Sequence, residues 1–261
     1  MYARVIVGTD GSQRAVRAVP VGARLAAAFG CPLDLVHVPA AEDPDGLDTA
    51  GARVVPGPDP ASALVALAAE TDPPGLLCLS SRGRSALGEV VFGSVTAQVL
   101  RTLHAPLLVA GPAFEQPHPR WRRLLVCLDG SDTSASILPA ATAWAHHLDL
   151  DVHLLHVSYP LGDGHHGDFV MPEEERDAAD QLAEAAADLE AAGVTVHLSV
   201  EEHTQVAAGI ADRASKGRAD LIALATHGRT GLARLVAGSV ALEVVRRATV
   251  PVLTMRPEHL D

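Results

Sequence analysis

Residues 4–12 read RVIVGTDGS, and residues 123–131 read RLLVCLDGS. Each segment is an apolar run that ends in Asp-Gly-Ser, and the two aspartates, Asp10 and Asp129, are 119 positions apart. The apolar runs that come next, LDLVHV and VHLLHV, keep the same spacing. A fixed offset between matching segments indicates an internal repeat, so the sequence predicts one folding unit written twice.

The repeat continues after an insertion. Gly93-Ser94 in the first copy matches Gly238-Ser239 in the second, and here the offset is 145. The second copy therefore carries 26 additional residues. We expect two domains, residues 1–112 and residues 120–258. Between them, the proline-rich segment GPAFEQPHP at 111–119 cannot continue a helix or a central strand.

Short apolar runs alternate with alanine-rich stretches along each copy. In the first copy VIVG, LDLVHV, ARVV, GLLCLS and PLLVAG are predicted strands, and residues 13–29, 61–70 and 86–103 are predicted helices. Such an alternation is typical of an α/β fold, with a parallel sheet covered by helices on both faces. In doubly wound sheets of this kind a ligand binds beyond the carboxyl ends of the strands, which is where Asp10 and Asp129 lie.

The insertion in the second copy has the pattern of an acidic helix. Pro172 precedes three glutamates, and apolar residues then recur at helical spacing as far as Gly193. Carboxylates in the first turn interact favourably with the helix dipole. We therefore predict a helix over 172–192. The first copy has a loop rich in Pro, Gly and Asp from Pro39 to Pro60 instead, too short and broken for a long crossover helix.

Composition narrows the class of protein. The chain has 261 residues, and its hydrophobic content of 48% indicates a core-forming protein. Its net charge of −12 argues against sequence-independent binding to nucleic acid. We expect no membrane partner, because no apolar run approaches the ~20 residues of a spanning helix and no signal-peptide layout is present. Cys31, Cys78 and Cys127 are widely spaced in apolar surroundings, as expected of reduced core thiols in a cytoplasmic protein. Lys216 is the only lysine and is not preceded by glycine, which excludes a P-loop.

The most specific pattern lies near the end of each copy. Residues 80–94 read SSRGRSALGEVVFGS and residues 225–239 read ATHGRTGLARLVAGS. In both, a glycine after a strand is followed ten residues later by Gly-Ser and a helix-like stretch. Glycine turns and helix N-termini present backbone N–H groups to anions, so the pattern predicts a phosphate site covered by Arg84 or Arg229. The alternative is a tight strand–helix turn whose glycines are purely structural.

These motifs make the chain resemble the universal stress protein family in its tandem two-domain form, over nearly the whole length. The family's nucleotide signature is a glycine, two residues, a second glycine, nine residues, and then Gly-Ser or Gly-Thr. The second copy matches from Gly228 onward and has Ala225 at the first position; the first copy matches from Gly83 onward and has Ser80 there. The resemblance implies two Rossmann-like domains, each a mostly parallel five-stranded sheet of order 3-2-1-4-5.

The resemblance also implies a ligand, ATP or ADP with Mg²⁺ as an accompanying ion, and a role in stress response and regulation. Asp10 and Asp129 would contact ribose or adenine, Val38 and Val157 would place the base, and the Gly-Ser turns would hold the phosphates. The second copy is the expected site, because Ala225 takes less room than Ser80. The expected nucleotide-binding residues are Leu128, Asp129, Val157, Ala225, Gly228, Arg229, Gly238, Ser239 and Val240 in the second copy, and Thr9, Asp10, Val38, Gly83, Arg84, Gly93, Ser94 and Val95 in the first.

The resemblance further implies how the copies associate. In this family the last strands, here PLLVAG and PVLTM, form the dimer contact, so the two copies are expected to pair inside one chain. A homodimer and an unidentified regulatory partner protein are further expectations. Two alternatives to nucleotide-dependent regulation stay open: a nucleotide-free interaction scaffold with degenerate signatures, and a slow metal-dependent ATPase.

Three other features allow a competing interpretation. Residues 162–167 read GDGHHG and match a dinucleotide-binding fingerprint, but five residues, the last of them Pro172, lie between them and the glutamates that begin the next helix, which favours a loop. The same segment offers Asp163, His165, His166 and Asp168 as metal ligands, without a partner segment elsewhere. His37 and His156 recur at equivalent strand ends, where a hydrogen-bonded structural histidine is more common than a catalytic base.

Overall fold

The structure is a computed structural model, and it describes residues 1–12, 15–40, 49, 51–81, 93–115, 120–159, 173–226 and 239–256. Its strands are β1 Val5–Gly8, β2 Leu33–His37, β3 Arg53–Val54, β4 Leu76–Ser80, β5 Leu107–Ala110, β6 Arg123–Cys127, β7 Asp151–Ser158, β8 Val196–Glu202, β9 Leu221–Ala225 and β10 Val252–Met255. Its helices are α1 Ala18–Phe29, α2 Pro60–Ala69, α3 Ser94–Thr102, α4 Asp132–Ala135, α5 Leu138–Leu148, α6 Glu173–Ala191, α7 Val206–Lys216 and α8 Ser239–Arg247.

The strands form one ten-stranded sheet of order β3-β2-β1-β4-β5-β10-β9-β6-β7-β8. Each half of the sheet has the order 3-2-1-4-5 in its own numbering, and the pairs inside a half are parallel. The predicted α/β class and strand order are therefore confirmed. Strands β5 and β10 pair antiparallel, with Val109 opposite Val252 and Leu108 opposite Leu253. The two copies thus join through their last strands within one chain, as the resemblance implied.

A proline sets the start of the first long helix in each copy. The stretch predicted as a helix over 13–29 begins in the described residues with a 3₁₀ turn, Ala15–Arg17, and α1 then has Pro20 in its first turn. The second copy repeats this arrangement, with the short helix α4 followed by α5 and Pro139 in its first turn. Proline lacks an N–H and clashes with the preceding turn inside a helix, so the regular helix begins next to it in both copies.

The insertion helix is confirmed. Helix α6 spans Glu173–Ala191, close to the predicted 172–192, and buries Ala178, Leu182 and Leu189 against the sheet. Between β2 and β3 of the first copy, the described residues contain no helix. Strand β3 keeps only Arg53 and Val54 of the predicted ARVV, and both are exposed at the edge of the sheet.

Two layers of side chains cover the two faces of the sheet. One layer contains residues of α1, α5 and α6, and the other contains residues of α2, α3, α7 and α8. The first layer runs through both halves of the chain and includes Tyr2, which stacks edge-on against Phe29 and Trp144. The indole N–H of Trp144 donates a hydrogen bond of 2.8 Å to the Tyr2 hydroxyl, so an aromatic cluster ties the two copies together.

The junction between the copies depends on a glycine. Gly111, directly after β5, lies against the backbone carbonyl of Val245 in α8, and a Cβ at this position would overlap that oxygen. The next residues turn, with the N–H of Phe114 donating to the carbonyl of Gly111 at 3.1 Å. Residues 116–119 of the predicted linker lie outside the described residues.

The remaining predictions from composition concern the cysteines and the absence of a membrane-spanning segment. All three cysteines carry free thiols; Cys78 and Cys127 are buried and Cys31 is half-buried. Burial raises the pKa of the Cys78 and Cys127 thiols, which disfavours the thiolate form that reacts. Within the described ranges, none of the helices combines the length and the hydropathy that crossing a membrane would require.

Candidate functional site

A cleft of about 190 Å³ opens at the carboxyl ends of the strands in the first half of the sheet. Its walls are the ends of β1, β2 and β4 and the N-terminal turns of α2 and α3. Strand β1 has β2 on one side and β4 on the other, so the chain reverses its direction of winding at this point. Doubly wound sheets bind ligands at such a reversal. Six residues expected from the sequence line this one cleft: Thr9, Asp10, Val38, Gly93, Ser94 and Val95.

The turn after β1 fixes the backbone beside Asp10. The N–H of Thr9 continues the ladder to the Val36 carbonyl at 2.9 Å, and Gly11 then adopts a φ of +74°, which favours glycine. The Asp10 carboxylate accepts a hydrogen bond from the N–H of Ser12 at 3.0 Å, and the N–H of Ala15 donates to the Ser12 hydroxyl at 3.1 Å. The Asp-Gly-Ser motif thus closes the turn with its own side chains and presents Asp10 at the cleft.

The two strand-end histidines tether these turns. His37 donates from Nδ1 to the carbonyl of Thr9 at 3.0 Å, and His156 donates from Nδ1 to the carbonyl of Leu128 at the same distance. Because a carbonyl can only accept, Nδ1 carries the proton in both rings. Both histidines are buried. The geometry favours the structural interpretation over the catalytic one, since each ring holds the residue that precedes the aspartate.

The N-terminus of α3 forms the opposite wall. Gly93 is the N-cap residue with extended backbone angles, and Ser94 begins the helix with an exposed side chain. The first N–H groups of a helix have no partners within it and carry the positive end of its dipole. This wall therefore offers backbone donors and the Ser94 hydroxyl to an anion. Ser80, at the end of β4, lines the cleft beside it.

Two polar residues of the cleft were not singled out from the sequence. Asp59 is the N-cap of α2 and accepts from the N–H of Ser62 at 3.0 Å, and the Gln98 amide donates to the same carboxylate oxygen at 3.2 Å. The hydrogen bonds from Ser62 lower the pKa of the Asp59 carboxyl. The Asp-Pro pair at 59–60 is a helix-start signal that could have indicated Asp59. Gln98 carries no such signal, because its role depends on how α3 packs beside α2.

The turn after β6, which corresponds to the turn after β1, is held by hydrogen bonds from helix α6. Gly130 has a φ of +87°, and the Ser131 hydroxyl donates to Asp129 at 2.6 Å. Helix α6 adds a clamp: Gln181 accepts from the N–H of Gly130 at 3.0 Å and donates to the Ser131 carbonyl at 2.9 Å. A Cβ on Gly130 would lie 2.9 Å from the backbone nitrogen of Ala178. The insertion helix therefore packs directly on the loop that carries Asp129.

The region around Val157 in the second half differs from the matching wall of the cleft in the first half. Leu64 lines the first cleft, and Gly209 of α7 occupies the matching position at an offset of 145. A Cβ on Gly209 would lie 2.9 Å from the Cβ of His203 and 3.0 Å from Val157. His203 and Val157, the residue expected to place a base, therefore both lie against Gly209.

Several expected residues of the second half are placed, and others are not described. Leu128, Val157 and Ala225 are buried at strand ends, and Ser239 and Val240 open α8 with exposed side chains. Gly83, Arg84, Gly228, Arg229 and Gly238 lie outside the described residues, as does the GDGHHG segment with its proposed metal ligands. In the part of the chain that the structure describes, no group of three or more His, Cys, Asp or Glu residues could hold a metal ion.

Comparisons with known proteins agree on one family. The model of the universal stress protein family matches residues 1–58, 52–111 and 120–256. A universal stress protein of Mycolicibacterium smegmatis is 30% identical over 184 residues, 70% of this chain and 62% of that protein. One of Methanocaldococcus jannaschii is 31% identical over 144 residues, 52% of this chain and 82% of that protein. The chain thus spans less than two thirds of the length of the first of these relatives.

Solved structures share the whole fold. The crystal structure of a universal stress protein from Archaeoglobus fulgidus matches with a TM-score of 0.69 and 19% sequence identity, over 98% of this chain and 99% of that one. A putative universal stress protein from Pseudomonas aeruginosa matches with a TM-score of 0.66 and 18% identity, over 99% and 95% of the two chains. At these identities the likeness concerns the fold.

Proposed function

Because the chain belongs to the universal stress protein family, we propose that it is a regulatory protein that binds an adenine nucleotide, ATP or ADP, in the cleft of its first half. The observation that carries this proposal is the convergence of the expected residues. Strand-end Asp10 and Val38 and the Gly93-Ser94 helix start are far apart in the sequence, yet they line one cleft. The match of spacing and geometry supports a ligand with a base, a sugar and phosphates.

The walls of the cleft suit the three parts of a nucleotide. Val36, Val38, Leu64 and Leu79 supply an apolar side for a planar base. Asp10 offers carboxylate oxygens, which are good acceptors for the hydroxyl groups of a ribose. The helix start at Gly93-Ser94 offers N–H donors and a positive dipole end, the usual environment of a bound phosphate.

Asp10 is also the residue that would hold Mg²⁺. Magnesium commonly binds to one or two protein carboxylates together with substrate phosphates, and Asp10 supplies such a carboxylate beside the phosphate wall. The ion would supply charge neutralisation to the phosphates. Asp59 lies at the other helix start of the cleft, where its hydrogen bonds from Ser62 and Gln98 already orient it.

The choice of the first half departs from the preference that the sequence supports. Ala225 matches the glycine signature more closely than Ser80, which favours the second half, and this preference stays a prediction. The first half is proposed here because its wall residues meet in an open cleft, whereas in the second half His203 and Val157 both lie against Gly209. Binding measurements on matched variants distinguish the two halves.

Isothermal titration of ATP and of ADP tests the proposal. Gly93→Val places a branched side chain at the phosphate wall, and we expect it to raise the dissociation constant at least about tenfold, a loss of ~1.4 kcal/mol. Gly238→Val is the matched variant in the second half, and the first site is expected to keep its affinity. Loss of binding only with Gly238→Val would move the site to the second half. Absence of binding by the wild type at millimolar nucleotide would leave the protein a nucleotide-free scaffold.

The wider role is part of the same proposal. We place the protein in the stress response of the cytoplasm, where it would pass its nucleotide state to a regulatory partner protein. Free thiols at all three cysteines fit a reducing compartment. Phosphate release that depends on a divalent metal and is lost with Asp10→Ala would add slow ATP hydrolysis to this role.

A further inference from the structure

Strand β8 is the outer strand of the sheet on the side of the second half. It has seven residues, Val196–Glu202, and within the described residues its one neighbour in the sheet is β7. Leu198 and Val200 are 52% and 57% exposed, an unusual state for two apolar residues on the same face of a strand. The opposite edge of the sheet is the two-residue strand β3. Long edge strands with exposed apolar residues are templates for pairing with another strand.

The backbone of β8 has a defined set of groups on its outer side. The N–H of Val152 in β7 donates to the Thr195 carbonyl, and the N–H of His203 donates to the Ser158 carbonyl. Because successive residues of a strand direct their backbone groups to opposite edges, the odd-numbered residues of β8 face β7. The N–H and carbonyl groups of the even-numbered residues therefore face the outer edge: Val196, Leu198, Val200 and Glu202.

The sequence of β8 is complementary to itself about Ser199. If two copies of the strand pair antiparallel about a two-fold axis at this residue, Leu198 lies opposite the partner's Val200, and Val200 opposite the partner's Leu198. On the other face His197 lies opposite the partner's Glu201, whose carboxylate can accept a hydrogen bond from the imidazole ring. Each of these pairs occurs twice, and polar and apolar pairs of this kind are favourable cross-strand neighbours.

The backbone agrees with this register. Leu198 and the partner's Val200 would both direct their N–H and carbonyl groups across the edge, and they would exchange two hydrogen bonds. Moving the axis to residue 200 would set Leu198 against the partner's Glu202. Moving it to residue 198 would set His197 against the partner's Ser199 and lose the pairing of His197 with the partner's Glu201. Of these three positions, the axis at Ser199 is the one that gives favourable cross-strand pairs on both faces of β8.

Contacts inside the chain hold the polar face of β8 in place. The Ser199 hydroxyl is 2.7 Å from Nε2 of His153, and Nε of Arg213 is 3.4 Å from a carboxylate oxygen of Glu201. The His153 and His197 rings lie side by side, with centroids 6.2 Å apart. The face is therefore already ordered before a partner arrives, which lowers the entropic cost of docking.

From these observations we propose that a second copy of this chain docks on β8, edge to edge, with the two-fold axis at Ser199. Two ten-stranded sheets would then continue into one another. A two-fold interface uses the same surface on both subunits, which the self-complementary strand provides. Helix α6, which packs on β7 and β8, has eight acidic residues and one arginine over 173–190. Two such helices on the same face repel each other, so we expect a reversible dimer.

Cysteine cross-linking of the full chain tests the register. In an antiparallel pair without mutual hydrogen bonds, opposite Cα atoms are ~4.5 Å apart, inside the range that a disulfide spans. Ser199→Cys is therefore expected to form a covalent dimer on oxidation. His197→Cys is the matched control on the same face: its two copies would be four residues out of register, ~13 Å apart, and should not cross-link. The double variant His197→Cys/Glu201→Cys should cross-link again.

Sedimentation velocity over a range of concentrations gives the second readout. The wild type should show a reversible dimer, and Leu198→Asp should weaken it at least about tenfold, since the carboxylate would be buried without a partner. Val54→Asp, at an equally exposed position on the other edge of the sheet, should leave the dimer unchanged. A wild type that stays monomeric at every concentration overturns the proposal. So does cross-linking of His197→Cys as efficient as that of Ser199→Cys, or equal loss with Val54→Asp.

Discussion

Replacing Tyr2 by phenylalanine removes a single hydroxyl from the contact between the two halves of the chain. Trp144 is fully buried, and its indole N–H donates to that hydroxyl at 2.8 Å. The phenylalanine ring can keep the stacking against Phe29, whose centroid lies 5.2 Å away. The variant therefore leaves a buried donor without its acceptor, which costs ~1–3 kcal/mol of the free energy of unfolding.

The same variant has a signature at alkaline pH. Burial raises the pKa of Tyr2 to about 12, and the hydrogen bond from Trp144 offsets part of the rise. Since the phenol of the unfolded chain ionises near pH ~10, the unfolded state loses its proton first as the pH rises. The stability that Tyr2 contributes is thus complete below pH ~10 and is lost between ~10 and ~12, by about 1 kcal/mol at pH ~11.

Urea denaturation, followed by tryptophan fluorescence at neutral pH and at pH ~11, measures both effects. Tyr2→Phe should be less stable at neutral pH and should lose less stability than the wild type on the change to alkaline pH. Buried Cys78 and Cys127 also have raised pKa values and add an alkaline loss to every variant, so the prediction concerns the difference between variants. Tyr159, the other tyrosine, is exposed, and Tyr159→Phe is the control. Equal alkaline losses in Tyr2→Phe and the wild type would refute the reasoning.

Three further predictions concern the turns and the thiols. Gly130→Ala should lower the free energy of unfolding by ~1–2 kcal/mol because of the positive φ and by a further ~1–3 kcal/mol because of the contact with the Ala178 backbone. Gly193 has a φ of +82° and open space around it, so Gly193→Ala should lose only the first amount in urea denaturation. An equal loss of stability in the two variants would mean that α6 does not pack against the turn that carries Asp129. His37→Leu should lower the free energy of unfolding by ~1–3 kcal/mol and weaken ATP binding. His156→Leu should lower the free energy of unfolding by a similar amount and leave ATP binding in the first half unchanged. If titration shows weaker ATP binding with His156→Leu and not with His37→Leu, the proposed site is wrong. In the native protein a thiol reagent should modify half-buried Cys31 well before Cys78 and Cys127, and equal rates would show that the core opens readily.

Much of the fold is predictable from the sequence because the signals are local and occur twice. Each strand of the first copy is a short apolar run with a turn after it, and the second copy repeats the run at a fixed offset. The parallel order follows once strands alternate with helices. Helix α6 is also local, since its charges and its apolar spacing lie on one continuous segment. The prediction fails in detail at β3, which in the described residues keeps only Arg53 and Val54 of the predicted ARVV.

The candidate site is predictable only in part, for a physical reason. Asp10 and Gly93-Ser94 follow strands or open helices, so their place at the carboxyl edge follows from the fold. The hydrogen bond between Gln98 and Asp59 joins residues 39 positions apart and depends on how two helices pack. The approach of His203 and Val157 to Gly209 depends likewise on tertiary packing. Tyr2 and Trp144 are 142 positions apart, and no pattern in the sequence indicates that they meet.

Native mass spectrometry of the protein with ATP or ADP tests the central claim most directly, because it counts the nucleotides that each chain holds. Asp10→Ala and Asp129→Ala form a matched pair, one at each strand end of the repeat. We expect an adenine nucleotide on the wild type and on Asp129→Ala, and at least about tenfold less on Asp10→Ala, a loss of ~1.4 kcal/mol. A nucleotide-free wild type at millimolar ligand, or a loss confined to Asp129→Ala, would rule out a nucleotide site in the first half.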